Sequence, residues 1–182
     1  MRRSLVSVVL AAAIATFAPT PATAQPISLS ELMGKNAKIL APGKYKIGKR
    51  RMRCGKAKTL VSPNFWDYGG ALPDLIIINP RKMNKLPRSI RMFVYYHECA
   101  HQSVGADEVA ADCQAIRRGK KEGWLNKRGV QRICKRLFIH SKGDRYHPPG
   151  PKRCRLLMQC YNGRGRTRTA RRGSGFNALD SR

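Results

Sequence analysis

The chain has 182 residues, with 37 Lys and Arg against 10 Asp and Glu, a formal charge of +27 and six cysteines. The length suits one domain with an ordinary core. The charge predicts anionic partners such as an acidic envelope polymer or a membrane surface, and the absence of the usual DNA- and RNA-reading motifs argues against specific nucleic-acid recognition.

Met1-Arg2-Arg3, the apolar run Leu5 to Phe17 and the small-x-small site Ala22-Thr23-Ala24 predict a signal peptide over 1–24. The mature chain is then exported, periplasmic or secreted. No later stretch has spanning length. All six cysteines, at 54, 99, 113, 134, 154 and 160, follow the cleavage site. In an oxidising compartment an even count predicts disulfides, and a bridge at Cys99 or Cys113 would brace the site described below. Spacing alone leaves fifteen full pairings open.

Residues 25–57 form a basic N-terminal segment, with a short helix at 26–33, a turn at 41–44, and a mobile or edge stretch at 44–53. Residues 59–62 read as a strand. Residues 64–70 read as an aromatic loop closed by a glycine turn, its aromatics serving mainly as core plugs. The β-branched run Asp74 to Pro80 is the best strand in the sequence. Its position ahead of the histidine helix suggests the rim of a cleft, with an edge to which a peptide can add. Helices are predicted from 87 to about 105, from 106 to 118, from 126 to 140, and from 151 to 161. Gly129 weakens the start of the third. The tail, 162–182, is polar and basic, with the composition of disordered segments.

The stretch His97-Glu98-Cys99-Ala100-His101 carries the chemistry. Histidines four apart share one face of a helix and can take two corners of a tetrahedral zinc site. Glu98 between them can act as general base toward water. Glu108 and Asp112, four apart on the next helix, can supply the third ligand and an acceptor that fixes a histidine tautomer. Asp107 is the competing third ligand, as in extended motifs that place glycine at the position of Val104. Here the glycine is Gly105, so Glu108 is preferred. Cys99 has no activating base nearby in the sequence and reads as structural.

H-E-C-A-H, then E-V-A-A-D, then His147-Pro148-Pro149-Gly150-Pro151-Lys152-Arg153 resembles the gluzincin family of CAAX-prenyl and heat-shock membrane proteases with its small soluble relatives. The three motifs stand in the family's order, within residues 74–157. The resemblance implies a zinc metallopeptidase acting on a peptide or protein substrate, with Zn2+ held by His97, His101 and Glu108 and Glu98 as base. It places His147 near the cleft as an oxyanion donor and Arg153 as a supporting contact. The family's membrane helices are absent, so its prenylated substrates do not transfer. The fold predicted is α+β and zincin-like, mainly helical with a small sheet, braced by disulfides over 58–161. The competing function is a non-catalytic, zinc-containing envelope protein that binds anionic surfaces through its charge.

Overall fold

The computed structural model describes residues 34 and 36–164. The expected signal peptide, the short helix at 26–33 and almost all of the basic tail lie outside the described residues. Six strands precede five helices: β1 (Lys38–Leu40), β2 (Lys46–Ile47), β3 (Arg50–Arg51), β4 (Lys58–Val61), β5 (Gly69–Leu72), β6 (Leu75–Ile78), then α1 (Pro80–Met83), α2 (Arg88–Val104), α3 (Glu108–Lys121), α4 (Lys127–Ile133) and α5 (Gly150–Tyr161). A π-helical turn, Cys134–Phe138, prolongs α4. The architecture is α+β with a small sheet.

Four strands form a mixed sheet in the order β1-β4-β6-β5. The run Leu-Ile-Ile-Ile of β6 explains its central place. Ile76 and Ile78 enter the main core, Ile77 enters a smaller cluster with Leu60 and Phe65, and all three are buried. A strand covered on both faces needs a continuous apolar run. This corrects the assignment of 74–80 as the cleft rim: β6 is interior, and the edge next to the helices is β5. The glycine turn expected at 69–70 is that edge strand, paired antiparallel with β6 from Gly69↔Ile78 to Leu72↔Leu75. The two strands turn through Pro73-Asp74, where Asp74 adopts φ 57°. Proline before a residue that tolerates a left-handed conformation suits such a turn.

The 44–53 stretch is a hairpin, β2–β3, not a mobile segment; Ile47 and Met52 are buried in the main core. β1 pairs with β4, so the sheet already begins inside the basic N-terminal segment. Arg50 forms an ion pair with Glu122, which also accepts from Arg118 Nε at 2.8 Å and Trp124 Nε1 at 3.1 Å, tying the hairpin to the end of α3.

α2 lies against the sheet, α3 packs on α2, and α5 packs on α3 and the π-helical turn. Ile90, Phe93 and Val94 of α2 meet Ile116 of α3, Ile133 of α4 and Leu157 of α5 in one core. The third helix is shorter than the expected 126–140, because regular α-geometry ends at Ile133. Its start is well formed: Asn126 caps it by accepting from Gly129 N at 2.8 Å.

Three disulfides account for all six cysteines: Cys54–Cys99, Cys113–Cys160 and Cys134–Cys154, with Cα separations of 5.5, 5.2 and 5.3 Å. They fit an oxidising compartment. Among the described residues no helix is long and apolar enough to cross a membrane.

Candidate metal centre

Two helices and one loop bring the site together. α2 carries His97, Glu98 and His101, and it ends at Gly105, whose φ of 63° and ψ of −138° only glycine adopts without strain. The turn sends α3 back along α2. Asp107 caps α3, its side chain accepting from Ala110 N at 2.9 Å, and it is exposed. Glu108, one residue later, points inward. The cap therefore occupies the competing candidate and leaves Glu108 beside the histidines.

His97 Nε2 and His101 Nε2 are 3.1 Å apart. Glu108 Oε2 is 3.1 Å from His97 Nε2, and Glu108 Oε1 is 3.5 Å from His101 Nε2. His147 Nε2, from the loop before α5, is 3.1 Å from Glu108 Oε2. The nearest ligand atoms of His97, Glu98 and His101 also fall within 4.8 Å of one another.

Each imidazole is oriented from behind. His101 Nδ1–H donates to the Gly105 carbonyl at 2.6 Å, which leaves the Nε2 lone pair facing the cluster. His97 Nδ1 lies 2.8 Å from Asp112 Oδ1. Asp112 is held in turn by Arg153, through Nε at 2.6 Å and Nη2 at 2.8 Å. This fork pair is buried, joining α3 to α5 directly beneath the site. His147 Nδ1 meets both carboxylate oxygens of Asp144 at 3.0 Å.

The electrostatics show a place prepared for positive charge. Burial works against charge on the His97 ring, but Glu108 and Asp112 outweigh it and raise its pKa. Burial alone would raise Glu108, yet the surrounding histidines hold its carboxyl far below the usual range. Burial, then the neighbouring His97, lowers His101 to about 4, so that ring is neutral and able to ligate. Burial raises Glu98 to about 7 against the opposing pull of His97, which brings a carboxylate into the range of a base working near neutrality.

The donor set fits a metal ion on a further observation. Glu108 Oε2 is buried with His97 Nε2 and His147 Nε2 each at 3.1 Å and Arg153 Nη2 at 3.7 Å. A tetrahedron with arms of about 2.0–2.1 Å has edges of roughly 3.3–3.4 Å, close to the separations of 3.1 and 3.5 Å found here. His101, His97 once it has given up its proton, and the Glu108 carboxylate form a donor set suited to zinc.

A cleft of about 280 Å³ opens beside the cluster, lined among others by Tyr68, Gly69, Glu98, Phe138 and His147. The edge strand passes close over Glu98: a Cβ at Gly69 would sit 2.9 Å from Glu98 Cγ. Gln102 fastens that strand to α2, donating to the Leu72 carbonyl at 2.8 Å and accepting from Asp74 N at 2.9 Å. Of the loop aromatics, Phe65 plugs the smaller core as expected, while Tyr68 lines the cleft.

The structure thus gathers His97, Glu98, His101, Glu108, Asp112, His147 and Arg153 into one site. Gly69, Gln102 and Asp144 belong to its surroundings and were not singled out from the sequence. Gln102 follows His101 on the helix, so its position was legible, but its partner across the hairpin was not. Cys99, within the motif, is bridged to Cys54 and is structural. Comparison with known proteins found no matching family model, no matching characterised protein and no matching solved structure.

Proposed function

We propose that the chain is an exported, zincin-like metallopeptidase that uses zinc to hydrolyse peptide bonds, as its gluzincin-like motifs imply. The observation that supports this best is the close grouping of His97, His101 and Glu108, at 3.1–3.5 Å from one another, with Glu98 lining the cleft beside them. His97, His101 and Glu108 would hold the ion. When bound, zinc supplies Lewis acidity toward a carbonyl and makes water acidic enough to react near neutral pH.

The chain's own residues do the rest. A peptide adds to the free edge of β5, which sets its backbone over Glu98. Glu98 takes a proton from the attacking water and returns it to the leaving amine. His147, on the opposite wall of the cleft, donates to the oxygen that gains negative charge. Asp112 keeps the His97 ring in place, and Arg153 keeps Asp112 in place.

The test combines metal content with turnover. Glu98→Gln should retain about one zinc per chain and lose peptide cleavage by about a hundredfold or more; full activity in that variant would remove Glu98 from the mechanism. Glu108→Ala should lose zinc and Asp107→Ala should keep it. A second reading is favoured by the position of His147 Nε2, 3.1 Å from Glu108 Oε2. There it could act as a fourth ligand and close a purely structural site on a non-catalytic envelope protein. Loss of zinc in His147→Ala, with no cleavage by the parent protein, would support that reading instead.

A further inference from the structure

The helical half of the molecule carries a second concave surface. A groove of about 610 Å³ runs between α4, the π-helical turn and α5, with an apolar floor that includes Val130, Cys134, Cys154 and Met158. Ile139 stands at its rim, 39% exposed. The groove adjoins a shallower hollow of about 490 Å³ and shares Gln131 and Lys135 with it. The hollow adds Arg128 and Arg132, and Arg155 stands on the α5 side of the groove.

Arg128, Arg132 and Lys135 line the one hollow, and Lys135 and Ile139 line the groove it adjoins, so the four lie on one continuous surface. Among the described residues none of Arg128, Arg132, Lys135 and Arg155 has a hydrogen bond or ion pair. The sequence gives them no local counter-charge, because no Asp or Glu occurs between 123 and 143 or between 145 and 179. Like charges this close on one helix face repel. A soluble polyanion would need the cations but not the apolar groove. An apolar protein partner would have to desolvate the cations. A bilayer with anionic headgroups satisfies both features, the cations lying at headgroup level and the apolar side chains below them.

We propose that this face docks on an anionic bilayer, with the groove receiving an acyl chain of an anionic lipid. The proposal does not depend on catalysis. The π-helical turn separates the two surfaces: Leu137 and Phe138 line the metal cleft, whereas Cys134, Lys135 and Ile139 line the groove. A docked molecule therefore keeps its cleft accessible.

The experiment is co-sedimentation of the oxidised, signal-free chain with vesicles of phosphatidylcholine, alone or with about a third phosphatidylglycerol. Binding is expected only to the anionic vesicles. Replacing Arg128, Arg132 and Lys135 together by Ala should weaken it by about a hundredfold, at about fivefold per cation. Replacing Lys38, Lys44 and Lys49 together by Ala removes the same charge from the strand side and should change it little. Ile139→Ser, at an exposed position that should leave folding intact, should weaken vesicle binding by about tenfold without altering binding to soluble polyphosphate. Equal losses in the two triple variants would reduce the effect to net charge and overturn the proposal. So would an unchanged Ile139→Ser, or no binding to the anionic vesicles.

Discussion

In the proposed zinc site, two residues outside the ligand set should exert control. Gly69 is one: an added Cβ would meet Glu98 Cγ at 2.9 Å and Val94 Cγ1 at 3.2 Å. Gly69→Ala should displace Glu98 and lower kcat by about ten- to a hundredfold, with zinc content unchanged, which steady-state kinetics beside metal analysis would read. Asp112 is the other. Its carboxylate holds the buried Arg153 fork and backs His97. Asp112→Asn should weaken zinc affinity by about ten- to a hundredfold and, by leaving a buried guanidinium poorly compensated, destabilise the fold by about 3–5 kcal/mol. Chelator competition and urea unfolding would measure the two effects separately. The motif spacing exposed Glu108 and Asp112 before any coordinates, because helical period fixes which residues share a face. It could not expose Gly69, whose importance lies in the space it leaves for a side chain distant in sequence.

At the scale of elements, the long helices and the strands at 59–62 and 74–80 were legible, and the short strands and the short helix Pro80–Met83 were not. α2, α3 and α5 announce themselves through apolar periodicity, Gly105 and Pro151. β5 has the sequence Gly-Gly-Ala-Leu, and with so little side chain it shows no alternation; its strand character comes from pairing with β6. The β2–β3 hairpin is hidden by its lysines and arginines, although Ile47 and Met52 anchor it. The π-helical turn likewise departs from a pattern that reads as continuous helix. The hairpin makes a prediction of its own. Tyr45 stacks on Tyr95 of α2, with ring centroids 5.7 Å apart. Burial raises both phenols above the ordinary value of 10.0. A raised folded pKa gives stability that is complete below the unfolded value and is lost as pH rises through the folded one. Denaturant unfolding should therefore show stability falling above about pH 10, and the fall should be smaller in Tyr45→Phe.

For the whole molecule, charge and disulfides govern the balance. Asp67, Glu98, Glu108, Asp112 and Asp144, half of the ten acidic residues, belong to the histidine cluster or its cleft. The remaining surface is strongly cationic, so the site is a local sink of negative potential in a positive body. Composition revealed the imbalance but not its distribution, which depends on how α2, α3 and the loop before α5 meet. The cross-links add to the stability of the core. The Cys54–Cys99 bridge spans a sequence separation of 45, for which the chain-entropy model gives about 4 kcal/mol. Replacing both cysteines by Ser should lower the unfolding free energy by that order in a urea titration under oxidising conditions.

That same bridge joins the middle of the histidine motif to a segment made more than forty residues earlier. A chain still inside a reducing cell lacks the tether, so its histidine helix is not yet pinned to the hairpin side of the fold. In the hydrolase proposed above, competence would then follow the redox state of this one bridge, and a reductant should lower turnover.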